Sequence, residues 1–227
     1  MIPLKDEIKA RRVPVVNYVL ILINVAVFIY QYFNASQMEA IVAKYAMVPA
    51  DITAGFSTES LRTVLTSMFM HAGWVHLLGN MLYLWIFGDN VEDRLGHVGY
   101  LNFYLAGGFA AAALHILINP QSIVPTVGAS GAIAAVLGAY LVLYPRARIY
   151  TFIPIGFWAR LRLVPAAVVL GLWFLLQLFS GFATLDAKAA DVGGTAFWAH
   201  IGGFVFGVLV GFLFKPGDQR DKIQKKW

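Results

Sequence analysis

Two residues that lie far apart in the chain could together attack a carbonyl group. Ser130 opens a short apolar stretch, and His200 lies in another apolar stretch nearer the C-terminus. A serine that begins a helix is ordinarily an N-cap, so its position alone does not indicate catalysis. A serine hydroxyl is a poor nucleophile at its ordinary pKa, but a neighbouring imidazole can take its proton near neutral pH. The pair therefore predicts a Ser–His dyad.

A second pair could stabilise the negative charge that develops on the attacked carbonyl. His76 and Asn80 are four residues apart, so both side chains project from one face of a helix. Both can donate hydrogen bonds, and donors aimed at a developing oxyanion are what this chemistry requires. Backbone N–H groups at the start of the helix that Ser130 opens would add to them. His71 lies nearer the surface, and we expect it to orient the loop.

Metal and thiol chemistry receive no support from the sequence. The chain has no cysteine, and His71 and His76 are five apart without the glutamate of a His-Glu-x-x-His zinc site. The G-x-S-x-G elbow of soluble hydrolases is absent too, because Ser130 is followed by Gly131 and Ala132. We therefore expect neither a metal nor an organic cofactor.

The elements that would position these residues are membrane helices. Of the 227 residues, 59% are hydrophobic and 13% are charged, and the mean hydropathy of +0.70 is too high for a soluble domain. Roughly 20 apolar residues are needed for a helix to cross the bilayer. We predict an all-α membrane protein with one domain over 1–227 and six spans, at approximately 14–33, 73–90, 98–118, 130–145, 161–179 and 196–214. The stretch 34–72 is expected to form short amphipathic pieces at the outer interface.

Basic residues indicate the orientation of these spans. With the N-terminus inside, 14 of the 17 Lys and Arg residues fall on the inner side, leaving Lys44, Arg62 and Lys188 outside. This positive-inside bias predicts that both termini are cytoplasmic. The net charge of +5 and the basic C-terminal tail then indicate contact with anionic headgroups of the bilayer, with no nucleic-acid partner. The first stretch exceeds the roughly 7–15 apolar residues of a signal peptide, so we expect a retained anchor.

This topology brings the chemical residues to one level. The second, fourth and sixth helices all begin on the outer side, where His76, Ser130 and His200 lie near their N-terminal ends. From Ser130 to Tyr144 a helix rises about 22 Å, so Ser130 is predicted about 8 Å below the outer surface of the hydrocarbon. The fourth helix is therefore predicted to be short and recessed. Small residues at 130, 134 and 138 and at 203, 207 and 211 would let the fourth and sixth helices pack closely.

Three segments, taken in order, resemble the signatures of the rhomboid family of intramembrane serine proteases. They are HAGWVHLLGN at 71–80, GASG at 128–131 and AHIGGFVFG at 199–207. The resemblance covers essentially the whole chain, in a form similar to the six-helix bacterial members. It implies hydrolysis of peptide bonds in transmembrane protein substrates. The compact chain favours a bacterial inner membrane as the location, while the inner membrane of an organelle stays open as the alternative.

The resemblance also implies individual roles. Ser130 would be the nucleophile and His200 the general base. His76 and Asn80, with the backbone N–H of Ser130, would form the oxyanion hole. Substrates would arrive laterally, past the fifth helix and under the loop 184–195.

Some family features are present and others are altered. Glu92-Asp93-Arg94 resembles a stabilising cytoplasmic acidic-x-Arg element. Some members have an aromatic residue four positions after the nucleophile, where this chain has Ala134. Either His200 is held less firmly here or another ring substitutes. A Trp-Arg pair in the first outer loop is not clearly reproduced, although Arg62 is present.

A different class of function stays open at this point. A catalytically silent relative that binds transmembrane helices would keep the fold, although it need not retain Ser130 or His200. A transporter is a weaker alternative, because no pair of broken helices or charge-lined pathway is present. His97 and His115 have no partner pattern and are expected to be packing or interface residues. The sequence makes no prediction of substrate identity or oligomeric state.

Overall fold

The computed structural model describes residues 1–155, 158–183 and 196–215. Long helices form the bundle, and three short helices lie between the first two long ones. The helices are α1 (Val15–Phe33), α2 (Met38–Tyr45), α3 (Pro49–Ala54), α4 (Thr58–Ser67), α5 (Trp74–Leu95), α6 (His97–Ile118), α7 (Ser130–Leu143), α8 (Ala166–Ala183) and α9 (Phe197–Leu213). The strands are β1 (Ile2–Asp6), β2 (Arg148–Ile155) and β3 (Trp158–Pro165).

Three of the predicted spans are long and apolar enough to cross a membrane. They are α1 with 19 residues, α6 with 22 and α8 with 18. The helices α7 and α9 are also apolar but shorter, with 14 and 17 residues. α5 has 22 residues and carries Glu92, Asp93 and Arg94 close to its C-terminal end. The predicted helical bundle is confirmed and α7 is short, whereas its depth in the bilayer stays a prediction.

The fifth predicted span begins later than expected. The sequence analysis started it at 161, whereas α8 begins at Ala166 and is preceded by β3. Arginines alternate with leucines over 160–163, which is the two-residue period of a strand. The predicted boundary was wrong because hydropathy was weighed over the whole stretch without regard to this alternation.

A small antiparallel sheet lies at the end of the bundle opposite Ser130. Its strand order is β1-β2-β3, with Asp6 of β1 opposite Ile149 of β2. β2 and β3 form a hairpin in which Arg148 lies opposite Pro165. The all-α prediction did not include this sheet, because strands of five to eight residues give a weak pattern in an apolar sequence.

α7 lies at the centre of the bundle, and nearly all of its 14 residues are buried. Its close contact with α9 depends on glycine. A Cβ on Gly203 would meet the carbonyl oxygen of Gly131, and one on Gly207 would meet the carbonyl oxygen of Ala135. Side-chain movement cannot relieve such contacts, because the atoms involved belong to the backbone. The predicted close packing of the fourth and sixth helices is therefore confirmed.

The stretch between α1 and α5 forms the short helices α2, α3 and α4. Ser57 is the N-cap of α4, and its side chain accepts a hydrogen bond from the backbone N–H of Ser60. Arg62 of α4 pairs with Glu59 and donates a 2.6 Å hydrogen bond to the carbonyl of Lys44 in α2. The loop is thus anchored through Arg62. Its location at the membrane interface stays a prediction.

Candidate active site

Ser130 is the first residue of α7, and its hydroxyl contacts His200 of α9. The N-cap position belongs to Ala129, and no side chain caps this helix. Oγ of Ser130 lies 2.7 Å from Nε2 of His200, a normal hydrogen-bond distance. The ordinary N-cap interpretation of Ser130 is therefore wrong, since its hydroxyl bonds to another helix and not to the backbone of its own.

The opposite side of the His200 ring contacts α8. His200 is 7% exposed, and its Nδ1 lies 2.8 Å from Oε1 of Gln177. Because a carbonyl oxygen only accepts, we assign the proton of the imidazole to Nδ1. Nε2 is then free to accept a hydrogen bond from the hydroxyl of Ser130. The indole of Trp173, one turn before Gln177, packs against the imidazole with ring centroids 5.8 Å apart.

Neither of these α8 residues was predicted from the sequence. Gln177 is the one side-chain amide in α8, and polar groups in apolar helices usually have a partner. Trp173 precedes it by four residues and so shares its face. Ala134 is fully buried, and its Cβ lies 3.3 Å from the place that a Cβ on Gly203 would occupy. The ring beside His200 comes from α8 and not from position 134.

His76 and Asn80 of α5 line the same cavity as Ser130 and His200. The backbone N–H of Ala72 donates to Nδ1 of His76 over 3.4 Å, which leaves the ring proton on Nε2. Asn80 is 8% exposed, and its Nδ2 has no hydrogen-bond partner among the residues that the structure describes. A buried donor without an acceptor costs about 1–3 kcal/mol. Two side-chain N–H donors are thus available at the wall of this cavity.

Gly128 lets the His76 ring approach the start of α7. Its φ of +135° is a conformation that residues with a side chain rarely adopt. A Cβ on Gly128 would lie 2.9 Å from both Cε1 and Nε2 of His76, and 3.5 Å from Oγ of Ser130. The imidazole of His76 and the hydroxyl of Ser130 therefore lie against the same backbone position. Glycine is required there for both conformation and space.

The cavity that these residues line has a volume of about 1270 Å³. Its wall includes small residues of α6, among them Gly108, Ala111 and Ala112. Small-molecule pockets occupy roughly 300–1,000 Å³. The volume around Ser130 exceeds that range, which leaves room for a polypeptide segment.

His71 packs against His76, with ring centroids 5.0 Å apart. Its backbone exchanges two hydrogen bonds with the side-chain amide of Gln31 in α1, at 3.0 and 3.2 Å. Burial, reinforced by the nearby His76, lowers the pKa of His71 to about 4, so its ring is neutral at pH 7. These contacts hold the segment that leads into α5, in keeping with the orienting role expected for His71.

The remaining histidines contact partners other than Ser130 and His200, although His115 lines the same cavity as these two residues. Nε2 of His115 lies 3.3 Å from the hydroxyl of Thr126. Nδ1 of His97 lies 2.5 Å from a carboxylate oxygen of Glu92 at the opposite end of the bundle. Both contacts agree with the packing role expected for these two histidines.

The acidic-x-Arg segment joins several elements at the sheet end of the bundle. Glu92 accepts hydrogen bonds from the backbone N–H groups of Val16 and Asn17, at 3.0 and 2.7 Å, in the first turn of α1. Arg94 donates to the carbonyl of Phe214 beyond α9, at 2.6 and 2.8 Å. The stabilising role expected of this segment agrees with these contacts.

Two sequence predictions concern segments that lie outside the described residues. These are the loop 184–195, under which substrates were expected to pass, and the basic tail beyond Lys215. Within the described ranges, no group of three or more His, Asp or Glu side chains is arranged to hold a metal ion.

Comparison with known proteins relates this geometry to a family. The model of the Rhomboid domain family matches residues 58–217, which include Ser130, His200, His76 and Asn80. Rhomboid protein 1, mitochondrial, from Saccharomyces cerevisiae is 28% identical over 212 residues, which cover 90% of this chain and 55% of the relative. RHOMBOID-like protein 7 from Arabidopsis thaliana is 34% identical over 150 residues, which cover 66% of this chain and 42% of the relative.

A third relative carries the word protease in its name. Rhomboid-like protease 5 from Toxoplasma gondii is 32% identical over 158 residues, covering 66% of this chain and 16% of the relative. The chain spans only about half the length of the yeast relative and of RHOMBOID-like protein 12, mitochondrial, from Arabidopsis thaliana, at 55% and 57%. The family model nevertheless covers well over half of the chain, including the apolar helices α6 and α8. The chain therefore belongs to the rhomboid family of integral membrane proteins.

Proposed function

We propose that this protein is an intramembrane serine protease that hydrolyses peptide bonds in or near transmembrane segments of other proteins. The observation that carries the proposal is the 2.7 Å contact between Oγ of Ser130 and Nε2 of His200 at the wall of a large cavity. A nucleophile and a base within hydrogen-bond reach, with the base oriented by a third group, are the mark of covalent catalysis. Family membership supports the same reaction class.

The reaction begins when Oγ of Ser130 bonds to the carbonyl carbon of the scissile peptide. Nε2 of His200 takes the hydroxyl proton as that bond forms, so the serine need not ionise beforehand. His200 then donates this proton to the leaving amine, the C–N bond breaks, and an acyl-enzyme remains on Ser130. Water then attacks the acyl carbon and gives a proton to His200. The ester bond to Oγ of Ser130 breaks, His200 returns the proton to that oxygen, and the second product leaves.

The oxyanion of each tetrahedral intermediate needs hydrogen-bond donors. Nδ2 of Asn80 is buried without a partner among the described residues, and Nε2 of His76 carries a proton. We assign both donors to the oxyanion, together with backbone N–H groups of the first turn of α7, which have no acceptor within the helix. Because these donors exist before the substrate arrives, little reorganisation is needed as charge develops.

The proposed substrates are transmembrane proteins that reach Ser130 from the bilayer. We place both termini in the cytoplasm, since 14 of the 17 Lys and Arg residues then lie inside. The proposed location is a bacterial inner membrane, and cell fractionation that recovers the protein elsewhere overturns it. The chain has no native cysteine, so labelling of single introduced cysteines from each side of the membrane tests the orientation directly.

The proposal is tested with purified protein and a transmembrane reporter substrate. Wild-type protein should cleave the reporter, and Ser130→Ala should lose at least about 10³-fold in rate, because nucleophile and base act as a unit. Ser180→Ala, on α8, is the matched serine control and should cleave normally. An undiminished rate in Ser130→Ala contradicts the mechanism, and an inactive but folded wild type favours a silent helix-binding relative.

A further inference from the structure

We propose that Gln177 and Trp173 of α8 are positioning residues that hold His200 in the tautomer and orientation needed to accept the proton of Ser130. The inference rests on the proposed function, because it assigns His200 the role of base. It adds a third group, supplied by α8, to the pair formed by Ser130 and His200. Gln177 is not part of the cavity wall and acts through His200, whereas Trp173 packs against His200 and also lines the cavity.

Gln177 supplies the tautomer. A neutral imidazole carries its proton on either nitrogen, and only the Nδ1–H form leaves Nε2 able to accept from Ser130. Oε1 of Gln177 lies 2.8 Å from Nδ1, and a carbonyl oxygen at that distance is matched only by a protonated Nδ1. With this acceptor removed, the Nε2–H form competes, and that form presents a donor where an acceptor is needed.

Trp173 restricts the orientation of the ring. Its indole is tilted by 35° against the imidazole, with centroids 5.8 Å apart. It also packs against Phe204, one turn further along α9 than His200, with centroids 6.0 Å apart. Phe174 stacks on the same phenylalanine at 4.3 Å. These contacts fix α8 against the segment of α9 that carries His200, and they keep the amide of Gln177 within reach of Nδ1.

The neighbouring helix α7 supplies no ring at this level, because position 134 is a fully buried alanine close to Gly203. The rest of α8 exposes large apolar side chains such as Leu172, Leu176 and Phe179. The Trp173–Gln177 face is thus the part of α8 turned toward His200, while the remainder of the helix surface suits contact with lipid.

Reporter cleavage by Gln177→Leu and Gln177→Glu tests the assignment. Leucine has a similar size but no acceptor, and kcat should fall about 10- to 100-fold with KM nearly unchanged. That loss is smaller than the roughly 10⁴-fold loss seen when a buried charged orienting residue is altered in a Ser-His-Asp triad. Glutamate keeps an oxygen acceptor, and Gln177→Glu should recover most of the lost kcat. Leu22→Ala, at an exposed position of α1, is the control and should cleave at the wild-type rate.

A second readout does not depend on proteolysis. In protein labelled with 15N-histidine, ring nitrogen chemical shifts distinguish a protonated from an unprotonated nitrogen, and His200→Ala identifies the signals of that ring. Wild type and Gln177→Glu should show protonated Nδ1 and unprotonated Nε2 at neutral pH. Gln177→Leu should show a mixture of the two tautomers, with a thermal unfolding midpoint close to that of wild type.

The outcomes separate this inference from the proposed function. If wild type cleaves the reporter and Gln177→Leu retains both the wild-type kcat and the wild-type ring spectrum, the positioning role is overturned and the protease assignment stands. If wild type cleaves nothing but the tautomer changes in Gln177→Leu, the contact holds His200 as inferred and the protease assignment fails. Loss of kcat that Gln177→Glu does not recover, with an unchanged ring spectrum, also overturns the positioning role.

Discussion

The two ends of the helical bundle bury polar side chains in different ways. At the sheet end, defined by β1 to β3 and the C-terminal part of α5, Glu92 is 1% exposed and accepts hydrogen bonds from two backbone N–H groups and from His97. Asp6 accepts from the side chains of Asn90 and Tyr140, at 2.8 and 2.7 Å. Each of these carboxylates has its partners within the protein.

At the site end, where α5, α7 and α9 begin, the bonding is incomplete. Asn80 is buried, but its Nδ2 has no partner among the described residues, and it faces a cavity. A buried donor left without an acceptor destabilises the fold. The comparison shows that burial alone does not separate structural polar residues from those directed at a ligand. What distinguishes Asn80 from Glu92 and Asp6 is a buried donor, Nδ2, that has no partner among the described residues and lies at the wall of the cavity.

Of three substitutions that test the difference between the two ends, Asn80→Ala is expected to have the largest effect on the reaction rate. The variant should lose about 10²- to 10³-fold in kcat, the usual loss on removing one oxyanion donor. Its thermal unfolding midpoint should stay equal to or above that of wild type, because an unpaired buried donor is removed. Asn102→Ala, at an exposed position of α6, is the matched control. If Asn80→Ala kept the wild-type kcat, the free Nδ2 donor of Asn80 would have no part in the reaction.

Glu92→Ala should show the opposite behaviour. Two N–H groups in the first turn of α1 lose their acceptor, and the free energy of unfolding should fall by roughly 2–4 kcal/mol. The kcat of the molecules that remain folded should be unchanged, since Glu92 lies at the sheet end. Unfolding in detergent and reporter cleavage measure the two quantities, and Glu39→Ala on α2 serves as an exposed control. If Glu92→Ala lost kcat but kept its stability, the assignment of stability to the sheet end and of the reaction to the site end would be contradicted.

The smallest effect is expected from Asp6→Asn and concerns pH. Burial is the main cause that raises the pKa of Asp6 from 3.8 to about 6, and the hydrogen bond from Tyr140 opposes it. The folded state therefore binds this proton more tightly than the unfolded state does, and stability is lost as pH rises from about 4 to about 6. Asparagine lacks this titration. The difference between the thermal unfolding midpoints of Asp6→Asn and wild type should increase by a few degrees as the pH rises from about 4 to about 6. Above that pH the difference should stay constant. A constant difference from acid to neutral pH would show that Asp6 has an ordinary pKa in the folded protein.

The helical bundle could be predicted because its apolar stretches are long and its glycines recur at a regular spacing. Apolar stretches of helical length marked α1, α6, α7 and α9 closely, and the glycines of α9 predicted its contact with α7. The start of α5 was also predicted, but the helix continues to Leu95 where the prediction ended it at 90, because its last turn carries charged residues. Because successive membrane helices run in opposite directions, Ser130 and His200 were predicted to lie at the same end of the bundle. Their roles, and those of His76 and Asn80, stay predictions that require the experiments above.

The features that sequence reasoning missed depend on contacts between distant segments. Gln177 is an ordinary amide until α8 is packed beside α9, where its oxygen meets Nδ1 of His200. The sheet was missed for a similar reason, because β1 pairs with a strand about 150 positions away in the chain, as in the Ile2–Phe152 pair. Pairing at that separation leaves no local pattern. The boundary of α8 was missed because alternating arginine and leucine was taken as part of a span.

Labelling with a fluorophosphonate probe tests the central claim most directly, because the probe reacts only with a serine activated by a nearby base. We predict one probe per folded chain, located at Ser130 by peptide mass mapping, and loss of labelling in His200→Ala. Absence of labelling in folded wild-type protein, or undiminished labelling of His200→Ala, would contradict the claim that Ser130 and His200 act together as a nucleophile and its base.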